Sequence, residues 1–354
     1  MHIAHSTSYR ATLKLLGAAL TVSLGGLHTL AAHAQQVATG GENTALEEVI
    51  VRGSYTTGDR LDSATGLGLS IRETPQSVSV MTFQRIEDQN LKTLTDVVLN
   101  ATGVSSKELD SSRASFSARG FAIDNYQLDG VPITWTPGGD AGETQTDMAL
   151  YERIEIVRGA TGLLTGAGNP SAAINLVRKH ADSKEFTGVT SVGASRWNNY
   201  DAMADVSAPV TSDGSVRARA VLSYADGDSW VDLLGNTRKV AYGTVDADLG
   251  LSTLLRVGAS YQDNDPTWGG LPAWYSDGSR TDWDDSKTVG ADWTRWASTN
   301  TNYFASLSHE FASGWKAALD LDRSENDANL HLLYLSGAPD RDTGLGMSAS
   351  PYRS

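Results

Sequence analysis

After Glu185 the chain alternates between apolar and polar residues with a period of two. Val216, Ala218, Ala220, Leu222 and Tyr224 stand between Arg217, Arg219, Val221 and Ser223, and Leu255, Val257, Ala259 and Tyr261 between Arg256, Gly258, Ser260 and Gln262. Ala241 to Leu249 and Trp315 to Asp322 repeat the pattern. Successive side chains of a strand point to opposite faces, so the pattern predicts an antiparallel sheet, apolar on one face and polar or charged on the other. Roughly seven strands of about ten residues fit between Glu185 and Leu330, the length that crosses a bilayer at a tilt. A soluble sandwich would turn its apolar faces inward; an inward charged face with aromatics near the strand ends fits an outer-membrane β-barrel better. The connections alternate too. Val210 to Val216 and Phe311 to Trp315 are short and carry Asp-Gly or Ser-Gly, whereas Asp263 to Thr301 is long and holds Trp268, Trp274, Tyr275, Trp283, Trp293 and Trp296.

Upstream the pattern differs. Phe83, Ile86, Leu94, Val97 and Val98 follow helical spacing, Thr93 and Asp96 form a capping pair, and Gly103 stands where a helix would stop. Tyr126 to Val131, Arg153 to Val157 and Ile174 to Arg178 read as short strands between glycine-rich turns. Residues 70–182 therefore form a small α+β domain with a core of its own. Residues 35–69 are polar and rich in Gly, Ser and Thr, except for Glu47-Glu48-Val49-Ile50-Val51. Those five residues are either a docking strand on a flexible tether or the first strand of the next domain, and alone they do not decide. Residues 1–34 carry Arg10 and Lys14, an apolar run from Leu15 to Leu27, and Ala32-His33-Ala34, the layout of a secretory leader cleaved before Gln35.

Composition narrows the function. The 354 residues include 28 Lys+Arg against 42 Asp+Glu, a net charge of −14 that argues against binding a polyanion. Loss of the leader's two cations would take this to −16. Cysteine is absent, which excludes disulfide scaffolds, thiolate metal sites and cysteine catalysis. No His-Glu-x-x-His, Gly-x-Ser-x-Gly or phosphate loop with Gly-Lys-Ser/Thr is present, so no enzyme is expected and no nucleotide supplies energy. The histidines are scattered, and acidic clusters such as Asp226-Gly227-Asp228 lack the calcium-loop spacing, so neither a metal site nor a cofactor is expected.

Five blocks occur in order within about a hundred residues: Glu73-Thr74-Pro75-Gln76-Ser77-Val78-Ser79-Val80, Ser117-Ala118-Arg119-Gly120-Phe121, Asn125-Tyr126-Gln127-Leu128-Asp129-Gly130-Val131-Pro132, Glu152-Arg153-Ile154-Glu155-Ile156-Val157-Arg158-Gly159 and Gly166-Ala167-Gly168-Asn169-Pro170-Ser171. With them the chain resembles, from about Glu47 to its end, the TonB-dependent ferric-siderophore receptors of Gram-negative outer membranes, and among these the hydroxamate and pyoverdine receptors. The resemblance implies an α+β plug domain at 70–182, followed at 183–354 by the first part of a transmembrane antiparallel β-barrel of about 22 strands. Seven strands do not enclose a plug, and the end at Pro351-Tyr352-Arg353-Ser354 lacks a final amphipathic strand, so a C-terminally truncated chain is expected.

The resemblance also implies partners and roles. Glu47, Glu48, Val49, Ile50 and Val51 become the TonB box, which pairs edge-on with TonB of the inner-membrane energising complex. The twelve residues from Gln35 to Leu46 leave no room for a signalling domain. Glu152, Arg153, Glu155 and Arg158 would lock plug to barrel, the alternative being a solvated strand face. Arg119, Thr134 and Trp135 are candidate siderophore contacts from the plug, with a structural role for Arg119 equally open. Trp268, Trp274 and Tyr275 either complete an extracellular vestibule or serve as interface girdle and loop packing. The ferric ion is cargo, held by the siderophore's own oxygens. Haem or cobalamin receptors and a passive porin-like barrel are the alternatives. The expected location is the outer membrane, as a monomer in contact with lipid.

Overall fold

The structure is a computed structural model that describes residues 61, 69–135, 142–159, 170–270, 274–288 and 290–354. The leader, the Glu47–Val51 segment and the motif at 166–169 lie outside the described residues.

The first region begins with β1 (Ser77–Thr82), α1 (Phe83–Asp88) and α2 (Leu94–Leu99). Six short strands follow: β2 (Ser105–Glu108), β3 (Ala114–Ala118), β4 (Phe121–Ala122), β5 (Asn125–Leu128), β6 (Val131–Ile133) and β7 (Tyr151–Arg158), before β8 (Ala172–Arg178) closes the region. The helical spacing belongs to two helices. Asn90 takes a left-handed φ of 55° and ends the first, and the second starts at a full capping box in which Thr93 Oγ1 accepts from the Asp96 amide while the Asp96 carboxylate accepts from the Thr93 amide. The second helix ends at Leu99, before Gly103, whose φ of 76° serves the turn beyond it. The strands form a five-stranded sheet in the order β1-β7-β8-β5-β6 and a separate sheet of β2, β3 and β4. Met81, Ile86, Leu94, Phe116, Tyr126, Ile154, Ile156, Ile174 and Leu176 fill the core between helices and sheets. That apolar interior is what makes this region a stable body in its own right.

The second region is one antiparallel sheet of eight strands, in which each strand pairs with its sequence neighbour: β9 (Thr187–Ser195), β10 (Asn199–Pro209), β11 (Val216–Asp228), β12 (Gly235–Asp248), β13 (Thr253–Pro266), β14 (Arg295–Glu310), β15 (Lys316–Ser336) and β16 (Ser348–Arg353). The sheet is not closed among the described residues; β9 and β16 are its edges. The stretch without an expected strand at the end of the chain is β16, in register with β15 from His331↔Arg353 to Ser336↔Ser348. Its Ser-Ala-Ser-Pro-Tyr-Arg sequence lacks apolar alternation, so pairing with β15, and not pattern, makes it a strand.

The faces are sorted as the alternation requires. Leu222, Tyr224, Val257, Tyr261, Tyr303 and Leu307 are exposed on the outer face, while Val221, Tyr242, Gln262, Asn264 and Phe304 are buried on the inner face. An outward apolar surface of this extent is stable only against lipid. The connections at 210–215, 249–252 and 311–315 are short, and those at 267–294 and 337–347 at the opposite end are long.

Candidate functional site

The inner face of the sheet holds the first region by charge at three levels. At the short-turn end, Lys179, fully buried, places Nζ 2.8 Å from Asp205 of β10 and 3.7 Å from the ring centroid of Phe83. Arg219 of β11 reaches the same carboxylate at 2.8 Å, donates to the His180 carbonyl at 3.1 Å and approaches Glu152 at 3.5 Å. Tyr242 Oη donates to the Lys179 carbonyl, and Arg217 Nε to that of Ala181. Residues 179–181, which join the two regions, are thus pinned by backbone as well as side chain.

At the middle level Arg178 donates to Asp129 Oδ2 at 2.7 Å, to Asn302 Oδ1 at 2.7 Å and to Asp322 Oδ2 at 3.2 Å, and its guanidinium lies 3.9 Å from the centroid of Phe304. Towards the long-loop end Arg238 Nε donates to Asp147 Oδ2 at 2.7 Å, Gln262 accepts from the Asp147 amide, and Lys92 pairs with Asp201 at 3.0 Å. Burial of this kind is stable only because each charge has a partner. Burial favours the neutral form of Asp129, but Arg178, His180 and two hydrogen bonds outweigh it and hold the carboxyl below its ordinary range. Burial pushes the Lys179 ammonium down against the pull of Asp205. Burial, with Arg256 adding to it, depresses the His180 imidazole to about 4 and keeps the ring neutral.

Of the expected lock residues, Glu152 reaches the described barrel strands at Arg219, 3.5 Å away. Arg153 Nε donates to Glu155 Oε1 at 2.7 Å within β7, and the buried Glu155 also accepts from Asn175. Arg158 donates to Ser77 and Ser79 of β1 and to the Thr102 carbonyl, all within the first region. Further wall contacts come from Arg178, Lys179, Asp147 and Lys92, none of which stands out by motif. A basic pair that ends a fully buried strand was the available signal for Arg178 and Lys179.

At the long-loop end the tip of the β2–β3 hairpin meets the wall: Ser111 Oγ donates to the Thr267 carbonyl at 3.2 Å, and the Arg113 guanidinium lies 4.2 Å from the Trp296 ring centroid. Trp268 packs with Trp296, Leu330 and Leu332 and edge-on to Tyr334, centroids 5.6 Å apart. Its indole nitrogen is buried with no acceptor among the described residues. Thr134 is exposed beside Trp135, whose ring packs 5.6 Å from Tyr126. Trp274 is exposed on the long loop, whereas Tyr275 is buried within it, bonded to Asp282, edge-on to Trp283 and under Arg341. That placement gives Tyr275 loop packing as its visible work. Arg119 lies apart from these residues. It follows the five residues of β3 from the Arg113 tip, roughly 17 Å along the strand, where its guanidinium faces Gly159. Arg113 and Trp296, absent from the expected set, are closer to the rim than Arg119 is.

Residues 70–173 match the family described as the TonB-dependent receptor plug domain. With that domain seated against outward-apolar barrel strands, the chain belongs to the TonB-dependent receptors. It is 44% identical over 296 residues to the ferripyoverdine receptor of Pseudomonas aeruginosa, and 38% identical over 306 residues to the ferric-pyoverdine BN7/BN8 receptor of Pseudomonas putida. These alignments take in 81% and 85% of this chain but 36% and 37% of the relatives, so the chain spans little more than a third of their length. The crystal structure of the P. aeruginosa outer-membrane receptor bound to ferripyoverdine superposes with a TM-score of 0.79 at 41% identity, over 85% of this chain and 41% of that one. The alcaligin outer-membrane receptor of Bordetella pertussis superposes with a TM-score of 0.66 at 36% identity, over 84% of this chain and 50% of that one.

Proposed function

We propose that this protein binds a ferric siderophore of the pyoverdine or hydroxamate type at the long-loop end and imports it across the outer membrane, driven by TonB. The observation that carries this reading is the seating of the plug: a domain held against the inner wall by ion pairs of Lys179, Arg178 and Arg238 around a small apolar contact with Met203, Val221, Val240, Tyr242 and Phe304. Such a seam is specific yet separable in steps, as a movable stopper requires. Residues 70–182 serve as plug and 183–354 as barrel wall, with the leader at 1–34 directing export and Glu47–Val51 offering TonB an edge strand. Trp135, Thr134 and Trp268 are the ligand contacts in this reading, joined by Arg113 and Trp296 at the long-loop end. A large flat chelate suits aromatic walls with a few charged or polar groups.

The test is uptake of radiolabelled ferric pyoverdine and ferric hydroxamates by cells with and without the receptor. Val49→Pro removes a backbone donor from the docking strand, so import should fall to background while binding at the cell surface is kept. Import unchanged by Val49→Pro removes the TonB box from Glu47–Val51, and import that persists after the proton gradient is collapsed favours a passive pore.

A further inference from the structure

The inner face of the barrel sheet changes character between neighbouring strands. On β10 to β12 it carries Asp205, Arg217, Arg238 and Asp246, each in an ion pair, with the apolar Met203, Val221, Val240 and Tyr242 among them. On β13 to β15 the register sets Gln262, Asn300 and Asn326 in one row and Ser260, Asn302 and Ser324 in the next. These six side chains are neutral amides and hydroxyls, and all six line one cavity whose opposite side is the plug, at Trp135, Tyr151 and Arg178. The cavity measures about 50 Å³, room for roughly four water molecules. Above it the same strands lead to Trp296 at the rim. Below it the next row is Phe304 and Asp322, where Arg178 lies across the ring and bonds both Asn302 and Asp322.

We propose that this six-residue amide and hydroxyl patch is the wall of the passage along which the ferric chelate leaves the rim, with Arg178 marking its closed lower end. The inference rests on the receptor reading above and adds the route. A chelate whose surface consists of amide and hydroxyl groups finds donors and acceptors at every step down the patch, one strand spacing apart. A charged wall would trap or repel it, whereas many weak, equivalent bonds let it move on. The wall side is fixed by its β-ladder. The passage widens only from the plug side, by withdrawal of Trp135, Tyr151 and Arg178, which the present 50 Å³ makes necessary for anything larger than water.

Residues 1–354 contain no cysteine, so Ser324→Cys and Asn326→Cys each add a thiol to this part of the receptor, with the unsubstituted receptor as the labelling control. In cells producing the receptor, each variant is treated during energised uptake with a small methanethiosulfonate or with a polyethylene glycol maleimide, and binding and import of radiolabelled ferric pyoverdine are measured separately. The expected result is unchanged binding with import cut about tenfold or more by the bulky adduct and much less by the small one. Full import through a completely labelled receptor at both positions overturns the proposal, as does failure of both thiols to react during uptake. A receptor that binds no ferric pyoverdine even before labelling overturns the functional reading, and the passage falls with it.

Discussion

The plug and the barrel wall solve the burial problem in opposite senses. In the plug, Ile154, Ile156, Ile174 and Leu176 point inward and polar groups form the surface. In the wall, Leu222, Val257 and Leu307 point outward, while Asp205, Arg217 and Arg238 are on the hidden side. The two regions therefore meet across a seam in which charged and polar groups surround the apolar patch of Met203, Val221, Val240, Tyr242 and Phe304. Such a seam adds matched charge to the apolar contact that Met203, Val221, Val240, Tyr242 and Phe304 make with the plug core, so part of its hold is lost pair by pair when charged partners are removed.

The sharpest way to break this contrast is to remove one partner at the seam. Asp205→Ala leaves Lys179 fully buried beside Arg219 with no carboxylate between them. A loss of about 3–5 kcal/mol in plug seating is expected. Chemical denaturation followed by plug tryptophan fluorescence, compared with Asp205→Asn, measures it; a loss under about 1 kcal/mol would mean that the seam does not depend on charge pairing.

The next test inverts the wall. Leu222→Arg puts a cation on the outer face, where a loss of about 2–4 kcal/mol is expected near the bilayer midplane, falling towards zero near the interfaces. Arg219, three residues away on the opposite face, is accommodated by Asp205 and the His180 carbonyl. Folding yield into lipid vesicles checks the difference, and an equal tolerance of arginine on both faces would contradict the assignment of inside and outside.

The third test is on pH. The folded-state pKa of His180 lies near 4, below its ordinary 6.5. Between those values the unfolded chain binds more protons than the folded one, so the stability from keeping the ring neutral is complete above 6.5 and is lost as pH falls towards 4. Asp129, also depressed, loses its contribution at still lower pH, in the same direction. His180→Gln should remove the first of these two phases from the stability profile and leave the second.

Much of this division was legible in the residues. The alternation from Val216 to Tyr224 requires two unlike faces, and an inward Arg217 and Arg219 requires something polar to receive them. The Thr93 and Asp96 pair identifies a helix start from four residues. What stayed hidden depends on partners distant in sequence. Arg158 carries the same motif whether it reaches a barrel carboxylate or Ser77 and Ser79, because only the pairing of β7 with β1 brings those serines to it. Arg113 has no local signal at all, since Trp296 meets it from 183 positions along the chain. Ser105–Glu108 shows no apolar alternation because its partner β3 supplies the whole buried side of that hairpin.

The order β1-β7-β8-β5-β6 leaves the first strand of the plug joined along a single side, with the Arg158 guanidinium fastened to its opening residue Ser77. A tug on the amino end would consequently load that one row of bonds soon after the Leu61–Leu69 bridge, like the stitch at the hem of a cloth. The remaining four strands keep their neighbours while the hem gives, so a small early detachment and a large later unravelling are separate mechanical events in this molecule.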